Sequence, residues 1–392
     1  MGAELKKPAR LSDAAATTTP WAASFVAPAP LSPAHTIAQI SNGDVSKAVD
    51  KIDLWDSWPI QNADGSTARI AGHKLWMALA APYHPDPTYR HHHARIRLLE
   101  RNAAGWTDHG NLLPDGFSPG SREWAGSAVY DDAAKKVTLY FTAAGRRGEE
   151  ATTFEQRIFM TSGDVSLNGG APVFNNWSDP IEILQADDDV YLKVDQAEGE
   201  PGKIKAFRDP AYFKDPADGQ DYLLFTGSLK QSRSDFNGAI GIAKAERGNS
   251  GSWTLLAPLI SADHLNNELE RPHLIARNGS YYLFWSTQSS TFAPDGPVGP
   301  NGLYGMVADH VRGPYRSLNG TGLVAANPPE EPLQAYSWLV LDNLEVVGFV
   351  DFWGLNGRSV DDNPKLARAQ FGGTFAPFFR LNLEGDCAEI DR

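Results

Sequence analysis

Arg277-Asn278-Gly279-Ser280-Tyr281-Tyr282-Leu283-Phe284-Trp285 is a turn signal followed at once by a strand. Asn-Gly supplies the left-handed backbone of a tight hairpin, and the bulky apolar run behind it is short and lies between turn residues. The pairing recurs along the chain. Val137-Thr138-Leu139-Tyr140-Phe141 follows Asp131-Asp132-Ala133-Ala134, and Tyr222-Leu223-Leu224-Phe225 follows Asp215-Pro216-Ala217-Asp218-Gly219. Val346-Val347-Gly348-Phe349-Val350 follows Asp342-Asn343-Leu344, and Leu75-Trp76-Met77-Ala78-Leu79 follows Ile70-Ala71-Gly72-His73. With Trp76, Tyr140, Leu224, Phe284 and Gly348 as markers, the steps are 64, 84, 60 and 64 residues. Five similar units, each of several strands ending in an apolar central strand, predict an all-β chain: a single five-bladed β-propeller with a central, funnel-shaped site. A sandwich would need fewer strands and would not recur so evenly. Long loops at one end are expected to carry the chemistry.

The 392 residues are 42% hydrophobic and 21% charged, which excludes disorder as a description of the whole. A net charge of −13 opposes binding to nucleic acid, which depends on clustered Lys and Arg. No stretch approaches the roughly 18 apolar residues of a membrane helix. Cys387 is the single cysteine, so neither an intrachain disulfide nor a thiolate metal cluster is expected. Residues 1–45, rich in Ala and Pro, read as an N-terminal arm, and residues 46–392 as the propeller. The first forty residues hold no basic segment followed by an apolar one, so no export signal is expected in this chain.

Three segments place acids in aromatic or arginine-rich surroundings: Leu54-Trp55-Asp56-Ser57-Trp58-Pro59, Phe207-Arg208-Asp209-Pro210, and Asn266-Asn267-Glu268-Leu269-Glu270-Arg271-Pro272-His273. An aromatic wall is what the C–H face of a sugar stacks against. Taken singly, Asp beside Pro reads as a turn and Glu beside Arg as a surface ion pair. Asp56 to Asp209 is 153 residues and Asp209 to Glu270 is 61, two units and then one. The three carboxylates can therefore lie at one level and converge on the centre. Gathering acids is electrostatically costly, and a flanking carboxylate pair is what glycoside hydrolysis requires.

These segments, together with Arg122-Glu123-Trp124-Ala125-Gly126-Ser127 and Gln334-Ala335-Tyr336-Ser337, resemble glycoside hydrolase family 68, the bacterial levansucrases, inulosucrases and β-fructofuranosidases. The resemblance runs from about residue 50 to 385. It implies a five-bladed propeller acting on sucrose and acceptor sugars without a cofactor. It implies Asp56 as the nucleophile, Glu270 as the acid/base and Asp209 as the transition-state stabiliser. Arg208 and Glu268 match sugar-binding positions, Trp55 and Trp124 walls of the fructosyl pocket, and Arg271 and Tyr336 groups around the acid/base. Repulsion from ionised Asp56 is expected to raise the pKa of Glu270, with Arg271 and Tyr336 adjusting it. The resemblance also implies work outside the cytoplasm, extracellular or periplasmic, with a cytoplasmic location left open, as is the oligomeric state.

Two departures bear on product and metal. Gln288 stands where the family usually has Arg or His, at the site that receives glucose and then the acceptor. An amide there favours hydrolysis and short transfer products over long chains. Polymer-forming levansucrase or inulosucrase is the alternative, and a sugar-binding propeller without turnover the non-enzymatic one. Asn267 stands where many members have a calcium-binding Asp, so no metal site is predicted. His91-His92-His93 read as a solvated loop or strand end, because adjacent strand residues face opposite ways. Gly296 to Gly302 read as a turn-rich loop at the rim of the site.

Overall fold

The computed structural model describes residues 18–26, 31–194, 204–246 and 249–392. Strands dominate, and the one α-helix among the described residues is Pro364–Gln370. Every apolar run picked out above is a strand: Lys74–Pro82, Lys136–Ala144, Asp221–Ser228, Ser280–Thr287 and Glu345–Phe352. In each case it is the second strand of an antiparallel meander, not the last. It is hydrogen-bonded on both sides and mostly buried, which is why its residues are apolar on both faces. The strand before each run is the meander's first: Ile52–Gln61, Arg122–Asp131, Phe207–Lys214, Glu270–Arg277 and Ala335–Val340.

Among the described residues the strands form four sheets, one of nine strands and three of five. The largest holds two meanders joined where their first strands pair in parallel, Ile60 with Ala128 and Gln61 with Val129. Around the molecule the five first strands touch in sequence, and the last returns to the first, so they form a closed circuit. Apolar side chains fill the space between neighbouring meanders. Within the third meander, Gly241 makes room for its cross-strand partner: a Cβ there would sit 2.2 Å from the buried ring of Phe225.

Each first strand is broken by a bulge at the same place. The ladder slips between Trp55 and Ser57, Trp124 and Gly126, Arg208 and Ala211, Glu270 and His273, and Tyr336 and Leu339. A bulge adds residues on one strand only and turns side chains away from the sheet. Asp209, Arg271 and Ser337, one step inside three of these bulges, have φ of 61°, 50° and 59°. Left-handed backbone is costly for such residues and persists where the surroundings fix it. Buried hydroxyls on the preceding meander supply part of that fixing. Asp209 N donates to Thr142 Oγ1 at 2.9 Å, Arg271 N to Thr226 Oγ1 at 3.1 Å, and Trp338 N to Ser286 Oγ at 2.9 Å.

The described residues of the arm lie along the body. Thr19–Pro20 pairs in parallel with Ile260 and Ser261, and Ile40 N donates to the side chain of Gln334. Trp21 is fully buried, edge-on to Trp285 at 5.2 Å and to Phe292 at 5.6 Å, with Tyr304 at 5.1 Å. Removing so large a buried side chain costs about 3–5 kcal/mol. Trp21→Ala is therefore expected to lower the thermal midpoint by several degrees, and an unchanged midpoint in calorimetry would show that the arm contributes nothing to the fold.

Candidate active site

The bulges aim five side chains into one cavity of about 290 Å³ at the end of the circuit where the first strands begin. Trp55, Trp124, Arg208, Glu270 and Tyr336 occupy equivalent positions, each just before the slip in its own strand. Asp56 and Asp209 lie one residue further along and also line the cavity, as do Glu268 and Gln288. Asp56 and Asp209 thus share a level, and Glu270 stands one step nearer the strand's start.

Charge is concentrated around Arg208. Its Nη2 donates to Glu268 Oε1 at 2.5 Å and to Glu270 Oε1 at 2.8 Å, and its Nε lies 3.5 Å from Asp209 Oδ2. Tyr336 Oη donates to the other oxygen of Glu270. The Glu270 carboxyl is held well above the usual carboxylate range, first by burial and then by Glu268, against the opposing pull of Arg208 and Tyr336. The repelling neighbour is Glu268, which shares Arg208 with it, in place of the Asp56 expected from the sequence. Asp209 is pushed up to about 6 by burial, offset by Arg208 and raised again by Asp56. Thr226 Oγ1 donates to its Oδ2 at 3.0 Å.

Arg271 does not line the cavity, although it sits beside Glu270 in sequence. Its guanidinium turns beneath the bulge, donating to Ser57 O at 2.7 Å, Ser337 O at 3.1 Å and Ser337 Oγ at 2.9 Å. It thereby ties the residue after Asp56 to the residue after Tyr336. The position expected to adjust the acid/base is a brace, and Arg208 takes the electrostatic part.

Arg90, His91, Phe154 and Asp351 are among the cavity residues that the sequence reading did not single out for the site. Arg90 and His91 come from the short 3-10 turn Pro87–His92, which corrects the solvated reading for His91, whereas His93 is exposed. The His91 ring meets Trp55 at 5.8 Å, and burial, then Arg90, holds it well below the ordinary imidazole pKa. Phe154 extends the Trp124 wall at 5.9 Å. Asp351 ends the apolar run of the fifth meander, and burial pushes its carboxyl up to about 6. An acid closing an apolar strand was the one visible signal for it. Conversely, the loop before Gly302 does not line the cavity. Its buried Asn301 accepts Ser289 N at 2.7 Å and so fixes the turn that carries Gln288. Asn267 is buried, and its Nδ2 donates to Ile204 O at 2.7 Å.

A family model described as Levansucrase/Invertase matches residues 11–237 and 229–391. Levansucrase LscC of Pseudomonas savastanoi pv. glycinea is 30% identical over 391 residues, spanning 90% of this chain and 85% of that protein. Levansucrase of Zymomonas mobilis subsp. mobilis is 33% identical over 373 residues, spanning 87% and 83%. Among solved structures, the inulosucrase of Halalkalicoccus jeotgali bound to kestose superposes with a TM-score of 0.85 at 36% identity, covering 95% of each chain. With these likenesses running the length of a cavity built from the motif residues, the chain belongs to the levansucrase/invertase family of fructosyl-transferring enzymes, glycoside hydrolase family 68.

Proposed function

We propose that this protein cleaves sucrose with retention, through a covalent fructosyl-enzyme, and passes the fructosyl group to water and to small sugars. The observation that carries the reading is Glu270: a partly buried carboxyl with a raised pKa, held between Arg208 and Tyr336 in the cavity that Asp56 lines. We read the five meanders as the blades of one propeller, with the described residues of the 1–45 arm laid against it. The closed circuit of first strands supports this.

In this scheme Asp56 attacks C2 of the fructosyl unit while Glu270 gives its proton to the departing glucosyl oxygen. Asp209 accepts hydrogen bonds from fructosyl hydroxyls as positive charge develops on the ring, and Trp55 and Trp124 wall it. In the second step Glu270, now ionised, takes a proton from water or an acceptor hydroxyl. Asp56→Asn is expected to abolish turnover, by about 10⁴-fold or more, without unfolding the chain. Glu270→Gln should lose sucrose cleavage yet still accept fructose from a donor whose leaving group needs no proton. Equal loss on both donors would leave Glu270 a structural role only.

The sign of each neighbour's effect on Glu270 predicts the alkaline limb of activity. Glu268 raises its pKa, so Glu268→Gln should move the limb to lower pH. The Tyr336 bond favours the ionised form, so Tyr336→Phe should move it to higher pH. Initial rates of glucose release between pH 4 and 10 check both directions, and a shift of either in the opposite sense would remove Glu270 as the titrating acid.

Gln288 supports hydrolysis and short products. Its amide lines the cavity and offers one donor group and one acceptor group to hold an acceptor against C2, whereas Arg would present a fork of donors. Polymer formation is the second reading, favoured by the levansucrases and the inulosucrase among the relatives. Gln288→Arg should raise the ratio of transfer to hydrolysis. Product size on excess sucrose decides: abundant high-mass fructan from the unmodified protein would establish the polymerising reading instead.

A further inference from the structure

Thr226 lies on the second strand of the third meander, fully buried and opposite Arg208 in the ladder. Its single hydroxyl makes two bonds of opposite sense. It donates to Asp209 Oδ2 at 3.0 Å, and it accepts the backbone N–H of Arg271 at 3.1 Å. A hydroxyl can do both at once because it carries one proton and free lone pairs. The two partners belong to adjacent first strands, and each has left-handed backbone. Thr142 and Ser286 clasp the neighbouring bulges in the same way, but each takes a backbone N–H with no bond to a cavity carboxylate.

We propose that Thr226 is a positioning residue for the fructosyl-transfer site: one hydroxyl that fixes the Asp209 carboxylate and the Glu270-Arg271 bulge relative to each other. It rests on the sucrose-cleaving reading for its effect on rate, and on the resting protein alone for its effect on Asp209. The bond favours the ionised form of Asp209, so losing it should raise a carboxyl pKa that burial already raises. The charged groups facing Asp209 are Arg208 on its own strand, Asp56 on the first, and Arg271 and Glu270 on the fourth. None of them changes when Thr226 is replaced.

Thr226→Val keeps the shape and removes the hydroxyl, while Thr226→Ser keeps the hydroxyl and removes a methyl. In the full chain, the Val variant should show a kcat about 10- to 100-fold lower, the order of one hydrogen bond to a charged group, with KM for sucrose changed far less. Titration of carbon-13-labelled Asp carboxyls should place the Asp209 pKa higher than in the unmodified protein. The Ser variant should recover both values. Unchanged kcat and unchanged Asp209 titration in a folded Val variant would overturn the proposal. Equal damage from Ser and Val would overturn it too, by assigning the effect to methyl packing. If Val does not fold, Thr226→Ala provides the hydroxyl-free comparison with Ser. Should the unmodified protein release no glucose from sucrose, the reading of the cavity fails, and the carboxyl titration still decides the role of Thr226.

Discussion

One buried guanidinium sets the terms on which this cavity can exist. Arg208 donates to Glu268 and Glu270 and lies beside Asp209, so three carboxyl groups share a single close cation in a space shielded from water. Charges in such surroundings are expensive unless paired, and one cation cannot pair three anions. The surplus is relieved by protonation, with the raised pKa of Glu270 the largest expression of it. Acid chemistry at neutral pH is thus a consequence of crowding carboxylates around too little positive charge.

The bulges decide which groups enter that crowd. Because every first strand slips at the same register, the residue before each slip, Trp55, Trp124, Arg208, Glu270 or Tyr336, is turned inward, and it is followed by Asp56, Ala125, Asp209, Arg271 or Ser337. Five copies of one backbone device therefore present five different chemistries. Where the second position is short and acidic, as in Asp56 and Asp209, it faces the cavity. Where it is the long Arg271, it reaches past the bulge to carbonyls on two other first strands. Ala125 is followed by Gly126, whose Cβ would lie 1.9 Å from Tyr140 O, so that bulge tolerates no side chain there.

The strands and the motif carboxylates were legible because each leaves a local mark. An apolar run after a turn shows in a few residues, and Trp-Asp-Ser-Trp or Glu-Arg-Pro-His is contiguous. What escaped depended on contacts distant in sequence. Arg90 and His91 gain their place from a short turn whose pattern resembles any polar loop, and Asp351 reaches the cavity only because its strand lies beside the first-strand circuit. Arg271 was assigned by its neighbour in sequence, whereas its actual direction is set by acceptors 66 and 214 residues away. The cause of the Glu270 shift was misassigned for the same reason, since sequence distance hid that Glu268 and Glu270 converge on one nitrogen of Arg208.

Arg90 gives the other side of the cavity the same character as Arg208. It feels the charges of Asp351 and Asp56, while Asp351 Oδ1 is buried without a hydrogen-bond partner among the described residues. Over the whole lining, five carboxyl groups, Asp56, Asp209, Glu268, Glu270 and Asp351, face two guanidiniums. Three of the five, Asp209, Glu270 and Asp351, have raised pKa values, and of these Glu270 alone is raised past neutral pH. A cavity poised in this way accepts a neutral polyol, whose hydroxyls can donate to the carboxylates and accept from protonated ones. A phosphorylated sugar would bring further negative charge into a site that already sheds its own by taking up protons. The raised pKa of Glu270 and the preference for an uncharged sugar that the proposed reaction requires therefore have one physical origin, the excess of carboxyl groups gathered around two guanidiniums.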